Sequence, residues 1–186
     1  MRLWIVRHAI AMEREAYQLE FGAQASDDLR PLTAAGRRKM ELQAIGLKKL
    51  LPQADILISS PLTRAEQTCS ILKDVWQIDK AERCSALRPQ SRPDSFVKWA
   101  KENLPSGKKQ SDSQNTDIVI VGHGPGLPIL IRYLICGEIR SEDGAGIELK
   151  KGGVCCLEFQ AGIEAGKACL KMHLSPRILR AMAKKL

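Results

Sequence analysis

Ile118-Val119-Ile120-Val121-Gly122-His123-Gly124-Pro125-Gly126 decides the fold. Four consecutive apolar residues predict a short strand buried on both faces, as in a parallel sheet. The glycine-rich turn ends that strand, and the apolar run through Leu134 predicts a helix behind it. The same grammar recurs outward along the chain. Leu3-Trp4-Ile5-Val6 is an apolar run that stops at Arg7-His8, and Asp55-Ile56-Leu57-Ile58-Ser59 is another, followed by Ser60-Pro61 and a helix from about Leu62 to Trp76. Pro61 is expected in that helix's first turn. A weaker strand signal lies at Ala81–Cys84, and Val154–Phe159 with Ala168–Leu174 predicts an edge pair.

The segments between these strands supply the helices. Residues 9–31 lack clean periodicity, and helical turns are expected only around Glu13–Leu19. Thr33 is a candidate cap for a helix that presents Met40, Ala44, Leu47 and Leu51 on one face and most of its Arg and Lys to solvent, with Pro52 as its stop. A further helix is expected over Asp94–Asn103, and a basic one from Ser175-Pro176 to the C-terminus. The polar stretch Pro105–Thr116 predicts a mobile surface loop. Strand and helix alternation therefore predicts a three-layer α/β/α fold, with a mainly parallel sheet and an antiparallel edge. Its length of 186 residues suits one domain over 1–186. Right-handed crossovers would gather the strand C-termini on one rim, where open α/β sheets bind ligands.

Composition narrows the function classes. No apolar run approaches membrane-spanning length, and the start of the chain lacks a signal peptide's apolar region, so a cytoplasmic protein without membrane contact is expected. The six cysteines have no C-x-x-C spacing; buried free thiols in a reducing compartment are expected, with no metal site and no cofactor. A formal charge of +8 points to an anionic partner. Nucleic acid fits poorly, because the eight aromatic residues do not interleave with Lys and Arg as a stacking platform would. An acidic or phosphorylated substrate fits better.

Three features fall on the predicted rim: Arg7-His8 after the first strand, Ser60–Thr68 with Arg64 after the second, and Gly122-His123 after the strand at 118–121. Singly, each has an ordinary structural explanation, a hydrogen-bonded histidine or an ion-paired arginine. Together they place two of the chain's three histidines and two arginines at one point. His173, in the expected edge strand, lacks such neighbours and is taken as structural. Guanidinium groups offer planar, bidentate donors to phosphate oxygens. A neutral imidazole can attack phosphorus if its other nitrogen donates to a fixed acceptor, and a second imidazole, if protonated, can hold another oxygen.

Arg7-His8-Ala9, Ser60-Pro61-Leu62-Thr63-Arg64-Ala65-Glu66-Gln67-Thr68 and Val121-Gly122-His123-Gly124-Pro125-Gly126-Leu127 resemble, in order, the signatures of the histidine phosphatase (phosphoglycerate mutase-like) superfamily. With Leu29-Arg30-Pro31-Leu32-Thr33 they resemble its small SixA-type phosphohistidine phosphatase branch. The resemblance implies His8 as nucleophile, with Arg7, Arg64 and His123 around the phosphoryl oxygens and Arg30 as a further pocket residue. For Arg30, pairing with Asp27 or Asp28 is the competing expectation.

Two departures from the larger members carry information. Ala9 stands where they have Gly. The stretch Ala86-Leu87-Arg88-Pro89 stands where they carry an acidic proton donor, and it leaves no room for a cap domain. Expelling an alkoxide gains about 10²–10⁴-fold from a general acid, whereas a phosphoramidate with a protonated imidazole needs less help. The expected function is therefore a phosphohistidine phosphatase acting, as a monomer, on a phosphohistidine-bearing phosphotransfer or signalling protein. A small-molecule phosphomonoesterase is the alternative, and a non-catalytic phosphoprotein-binding module the third possibility. Glu66 is expected to cap or pair rather than to act as acid.

Overall fold

Both faces of the first strand are covered. In β1 (Arg2–Arg7), Leu3 and Ile5 enter one apolar layer while Trp4 and Val6 enter the other, the period-two alternation of a central strand. The computed structural model describes residues 1–105, 116–138 and 146–184. Its six-stranded sheet has the order β3-β2-β4-β1-β5-β6, with β2 at Ile56–Ser59, β3 at Glu82–Arg83, β4 at Asp117–Gly122, β5 at Val154–Glu158 and β6 at Cys169–Leu174. The pairs β1/β4, β2/β4 and β2/β3 are parallel, and β1/β5 and β5/β6 are antiparallel, as expected from the sequence.

Helices complete three layers. α2 (Ala34–Lys48), α3 (Thr63–Trp76) and α6 (Pro176–Ala183) cover the Trp4/Val6 face. α4 (Pro93–Asn103) and α5 (Gly126–Cys136) cover the Leu3/Ile5 face with Phe96, Leu130 and Ile131. α1 (Arg14–Phe21) buries only Tyr17 and belongs to the segment between β1 and α2. The link from β3 to α4 is short, a 3-10 turn at Ser85–Leu87, so no cap covers the sheet's rim there.

Caps and stops agree with the sequence except in two places. The Thr33 hydroxyl accepts from the Gly36 N–H at 2.9 Å, and Ser175 caps α6. α2, however, ends at Lys48 in a tight turn, before Pro52 can act as its stop. Pro61 is not in a first turn: Leu62 is the extended N-cap and α3 begins at Thr63. Four cysteines are buried free thiols, whereas Cys136 and Cys169 are exposed. His173 is exposed on β6. Residues 106–115 of the expected mobile loop, and Lys185, lie outside the described residues. Among the described residues, no helix is long and apolar enough to cross a membrane.

Candidate active site

The parallel register brings the candidate residues level. Arg7 pairs with Gly122 and Ser59 with Val121, so β1 and β2 leave the sheet on either side of β4 at the same height. Each adds one hydrogen bond to β4 beyond its end: the His8 N–H donates to the Gly122 carbonyl and the Ser60 N–H to the Val121 carbonyl, both at 2.9 Å. His8, Ser60 and His123 are thereby fixed side by side. Ala9, buried beneath them, donates its N–H to Thr68 Oγ1 at 3.0 Å, and the Thr68 hydroxyl donates to the Arg64 carbonyl at 2.7 Å. This chain of contacts ties the exit of β1 to the first turn of α3, which carries Arg64.

The two imidazoles lie with ring centroids 5.0 Å apart at 53°. His8 Nδ1 is 2.7 Å from the Ala9 carbonyl. A carbonyl only accepts, so Nδ1 carries the proton and the Nε2 lone pair is free. Burial pushes the His8 pKa down to about 3; the Ala9 carbonyl opposes this, and the charges of Arg64, Arg7 and Lys151 add to it. His8 is therefore neutral at pH 7.

His123 is 2 % exposed, and its Nε2 is 2.8 Å from Ser60 Oγ. Ser60 is fully buried, and His123 Nε2 is the one acceptor beside its hydroxyl among the described residues, so the Ser60 proton goes to Nε2 and the ring proton to Nδ1. Burial pushes the His123 pKa down to about 2, helped by the nearby His8, Arg64 and Arg7 and opposed by Asp27. Without an anion beside it, this second imidazole is neutral rather than protonated.

Arg7 donates from Nη1 to the Leu149 carbonyl at 2.8 Å. Its guanidinium lies across the β4–α5 turn, where a Cβ on Gly124 would be 2.9 Å from Arg7 Cζ; only glycine allows the approach. Arg64, 4 % exposed, donates from Nη1 to the Asp27 carbonyl at 2.8 Å and pairs through Nη2 with the Asp27 carboxylate at 3.1 Å. Burial lowers the pKa of both arginines, against Glu148 at Arg7 and Asp27 at Arg64. Both remain cations, since guanidinium does not deprotonate in proteins.

Arg30 takes up the competing expectation, and pairing holds it. Its Nε is 2.8 Å from Asp27 Oδ1 and its Nη1 donates to the Met12 carbonyl, so it touches the pocket through Asp27. Asp27 is the residue that sequence reasoning underrated. It bridges Arg64, Arg30 and Arg14, and although burial pushes its carboxyl up, the Arg30 hydrogen bond and the charges of Arg64, Arg30 and Arg14 hold it below the ordinary range. Asp28 pairs with Arg88 of the β3–α4 link at 2.7 Å, and Glu66 pairs with Arg83. Ser60 and Thr68 lay inside a quoted motif, but nothing in the sequence separated their hydroxyls from ordinary helix-start residues.

One asymmetry stands out in the polar atoms. Among the described residues, three buried side-chain atoms around His8 have no hydrogen-bond partner: Arg7 Nε, Arg64 Nε and His123 Nδ1. All three are donors, and all belong to the groups around His8. Buried donors are rarely left unpaired, so this arrangement is matched to an oxyanion with several acceptor oxygens. No group of three or more His, Cys, Asp or Glu side chains placed for a metal occurs among the described residues.

Comparison with known proteins agrees with this geometry. Residues 3–91 match the model of the histidine phosphatase superfamily (branch 1). An uncharacterized protein of Picosynechococcus sp. is 29 % identical over 175 residues, which cover 93 % of this chain and 90 % of that one. The fold is shared with the protein histidine phosphatase SixA solved with tungstate (TM-score 0.72, 22 % identity, 96 % of this chain and 99 % of that one). It is shared with mycobacterial glucosyl-3-phosphoglycerate phosphatase solved with inorganic phosphate (TM-score 0.67, 16 % identity, 94 % and 97 %). It is also shared with a phosphoserine phosphatase of Entamoeba histolytica (TM-score 0.61, 16 % identity, 96 % and 98 %).

Proposed function

We propose that this chain is a histidine phosphatase that removes phosphate from phosphohistidine on a phosphotransfer or signalling protein through a phospho-His8 intermediate. The observation that carries the proposal is the set of unpartnered donors, Arg7 Nε, Arg64 Nε and His123 Nδ1, around an imidazole whose Nε2 lone pair is free.

In the first step His8 Nε2 attacks phosphorus in line, and the P–N bond to the substrate imidazole breaks. The leaving imidazole keeps the electron pair as a neutral ring because its other nitrogen already holds a proton. Arg7, Arg64 and His123 donate to the phosphoryl oxygens throughout, and being fixed before reaction they need no reorganisation. As negative charge gathers on those oxygens, phospho-His8 keeps its Nδ1 proton on the Ala9 carbonyl. In the second step water attacks phosphorus, the P–Nε2 bond breaks, and inorganic phosphate leaves with neutral His8 restored.

The leaving group separates this reading from the alternative. Ala86–Pro89 offers no carboxylate. The neighbouring carboxylates lie against cations, Asp27 against three arginines, Asp28 against Arg88, Glu66 against Arg83, and Glu148, whose charge acts on Arg7, against Lys150. None is free to protonate an alkoxide, which favours a phosphoramidate over a phosphomonoester. A phosphomonoesterase acting on a small molecule is the second reading, favoured by the fold shared with glucosyl-3-phosphoglycerate phosphatase. The cytoplasm belongs to the proposal as its compartment, where the buried free thiols stay reduced.

The test is a comparison of substrates. Wild type incubated with a phosphorylated histidine phosphotransfer domain should release phosphate and carry an acid-labile label that His8→Ala lacks, and a chelator should not slow it. Equal release by both proteins would sink the mechanism, and fast turnover of alkyl phosphates with none of phosphohistidine would favour the second reading.

A further inference from the structure

A cavity adjoins the site at Arg7. A cleft of about 430 Å³ opens between α2, the 148–151 segment and the start of α6, and Arg7 lines both this cleft and the His8 pocket. Its walls carry Lys39, Lys150, Lys151 and Arg180. Glu148 is its only carboxylate, 3.9 Å from Lys150. Lys39 and Arg180 have no carboxylate partner among the described residues. Lys151 lies close enough to depress the His8 pKa, so the cleft's charge reaches the reacting imidazole.

The fold builds this arrangement on purpose-shaped contacts. A Cβ on Gly46 would sit 1.9 Å from the Leu179 carbonyl, so α6 docks on α2 through a glycine, with Leu179 fully buried. Arg180, the next residue, is thereby held at the cleft. Gln43 of α2, on the same helix as Gly46, is 3 % exposed. It abuts Gly152, whose left-handed φ of 75° shapes the loop that bears Lys150 and Lys151. A row of cations suits carboxylates, which an acidic polypeptide supplies.

The segment that meets the cleft at Ile10 and Glu13 carries exposed apolar side chains further along. Leu19, Phe21 and Leu29 are 89 %, 56 % and 63 % exposed within eleven residues, on the segment whose Asp27 holds Arg64. Glu13 at the head of that segment pairs with Lys151 of the cleft at 3.7 Å. Three large exposed apolar side chains on a segment tied to a basic cleft match a protein surface rather than a small ligand.

We propose that this cleft forms a docking surface for an acidic protein face flanking the phosphohistidine, so that the substrate is chosen by its carboxylates as well as by its phosphoryl group. The inference rests on the phosphohistidine reading above. Recognition of this kind acts on encounter and on KM more than on the chemical step.

The experiment compares kcat/KM for two substrates: a phosphorylated histidine phosphotransfer domain with an acidic face, and free N-phosphohistidine. Their ratio is measured for wild type, for Lys39→Glu/Arg180→Glu, and for Lys98→Glu/Lys167→Glu, an equal charge change on exposed residues associated with the opposite sheet face. The cleft variant should lower the protein-to-amino-acid ratio at least tenfold through KM, with the wild-type ratio falling as salt rises. The control should change it less than twofold, and circular dichroism should show all three folded. An unchanged ratio in the cleft variant, or an equal fall in the control, overturns the docking surface. A cleft variant impaired only toward a small phosphate with a second anionic group, such as 3-phosphoglycerate, overturns the protein partner. If wild type hydrolyses neither phosphohistidine substrate, the proposed function fails instead, and the two failures remain distinct.

Discussion

Asp27 clasps Arg64 twice, through its carboxylate at 3.1 Å from Nη2 and its backbone carbonyl at 2.8 Å from Nη1. The same carboxylate holds Arg30, so one acidic side chain orients the deepest cation of the pocket and competes with substrate for it. Replacing Asp27 by Asn should separate these two effects. Phosphate should inhibit more strongly, because the competing charge is gone, while kcat falls about tenfold as Arg64 loses its aim. Stability should drop by about 1–2 kcal/mol, less than for a fully buried pair because Asp27 is one-third exposed. Inhibition constants and urea midpoints of the two proteins check both halves.

The Asp27 pair also has a pH signature. Its folded pKa is lowered, so the stabilisation is complete above the unfolded value of about 4 and is lost as pH falls through the folded value. Asp27→Asn should therefore show a shallower loss of stability below pH 4 than wild type, measured by urea unfolding across an acid series.

His8 and His123 act in a higher window. Their folded pKa values, about 3 and about 2, lie below the unfolded value near 6.5, so the unfolded chain binds protons first. Stability should be full above pH 6.5 and fall as pH drops, by up to about 1.4 kcal/mol per unit for each histidine. The double variant His8→Gln/His123→Gln should flatten that slope between pH 6.5 and 4.5. An unchanged slope would mean that neither ring is buried in neutral form.

A dianion should reverse the balance at His123. Its unpartnered Nδ1 and low pKa follow from burial beside cations without a counter-charge, which a tungstate or phosphate dianion would supply. Anion binding should raise the ring's pKa and tighten as pH falls from 8 to 6. Titration calorimetry in buffers of different ionisation heat measures the protons taken up; zero uptake across that range would contradict the assignment.

Gly124→Ala tests the turn under Arg7. The added Cβ meets Arg7 Cζ at 2.9 Å, so the guanidinium must shift, and a displacement near 1 Å costs roughly 10²-fold in rate. A fall of that order in kcat/KM with a melting temperature within a few degrees of wild type is expected. A rate within twofold of wild type would show that Arg7 is not held by this contact.

The layers, the strand identities and the rim were legible in the sequence because each rests on local pattern. Apolar runs at 3–6, 56–59 and 118–121 specify strands buried on both faces, and Arg7, Ser60-Pro61 and Gly122 mark where each leaves the sheet. That put Arg7, His8, Arg64 and His123 within reach of one another before any coordinates. Local pattern does not encode distance. Only the tertiary structure decided that Asp27 would fold back onto Arg64, that Ser60 would assign the proton on His123, and that Arg30 would reach the pocket through a carboxylate. It alone set Arg180 in one cleft with Arg7, through the contact of Gly46 with Leu179 across 133 residues of chain. The physical reason is the range of the forces. Hydrophobic period and backbone chemistry act within a few residues, whereas the pairing and protonation of a buried charge depend on whichever groups packing brings to its side.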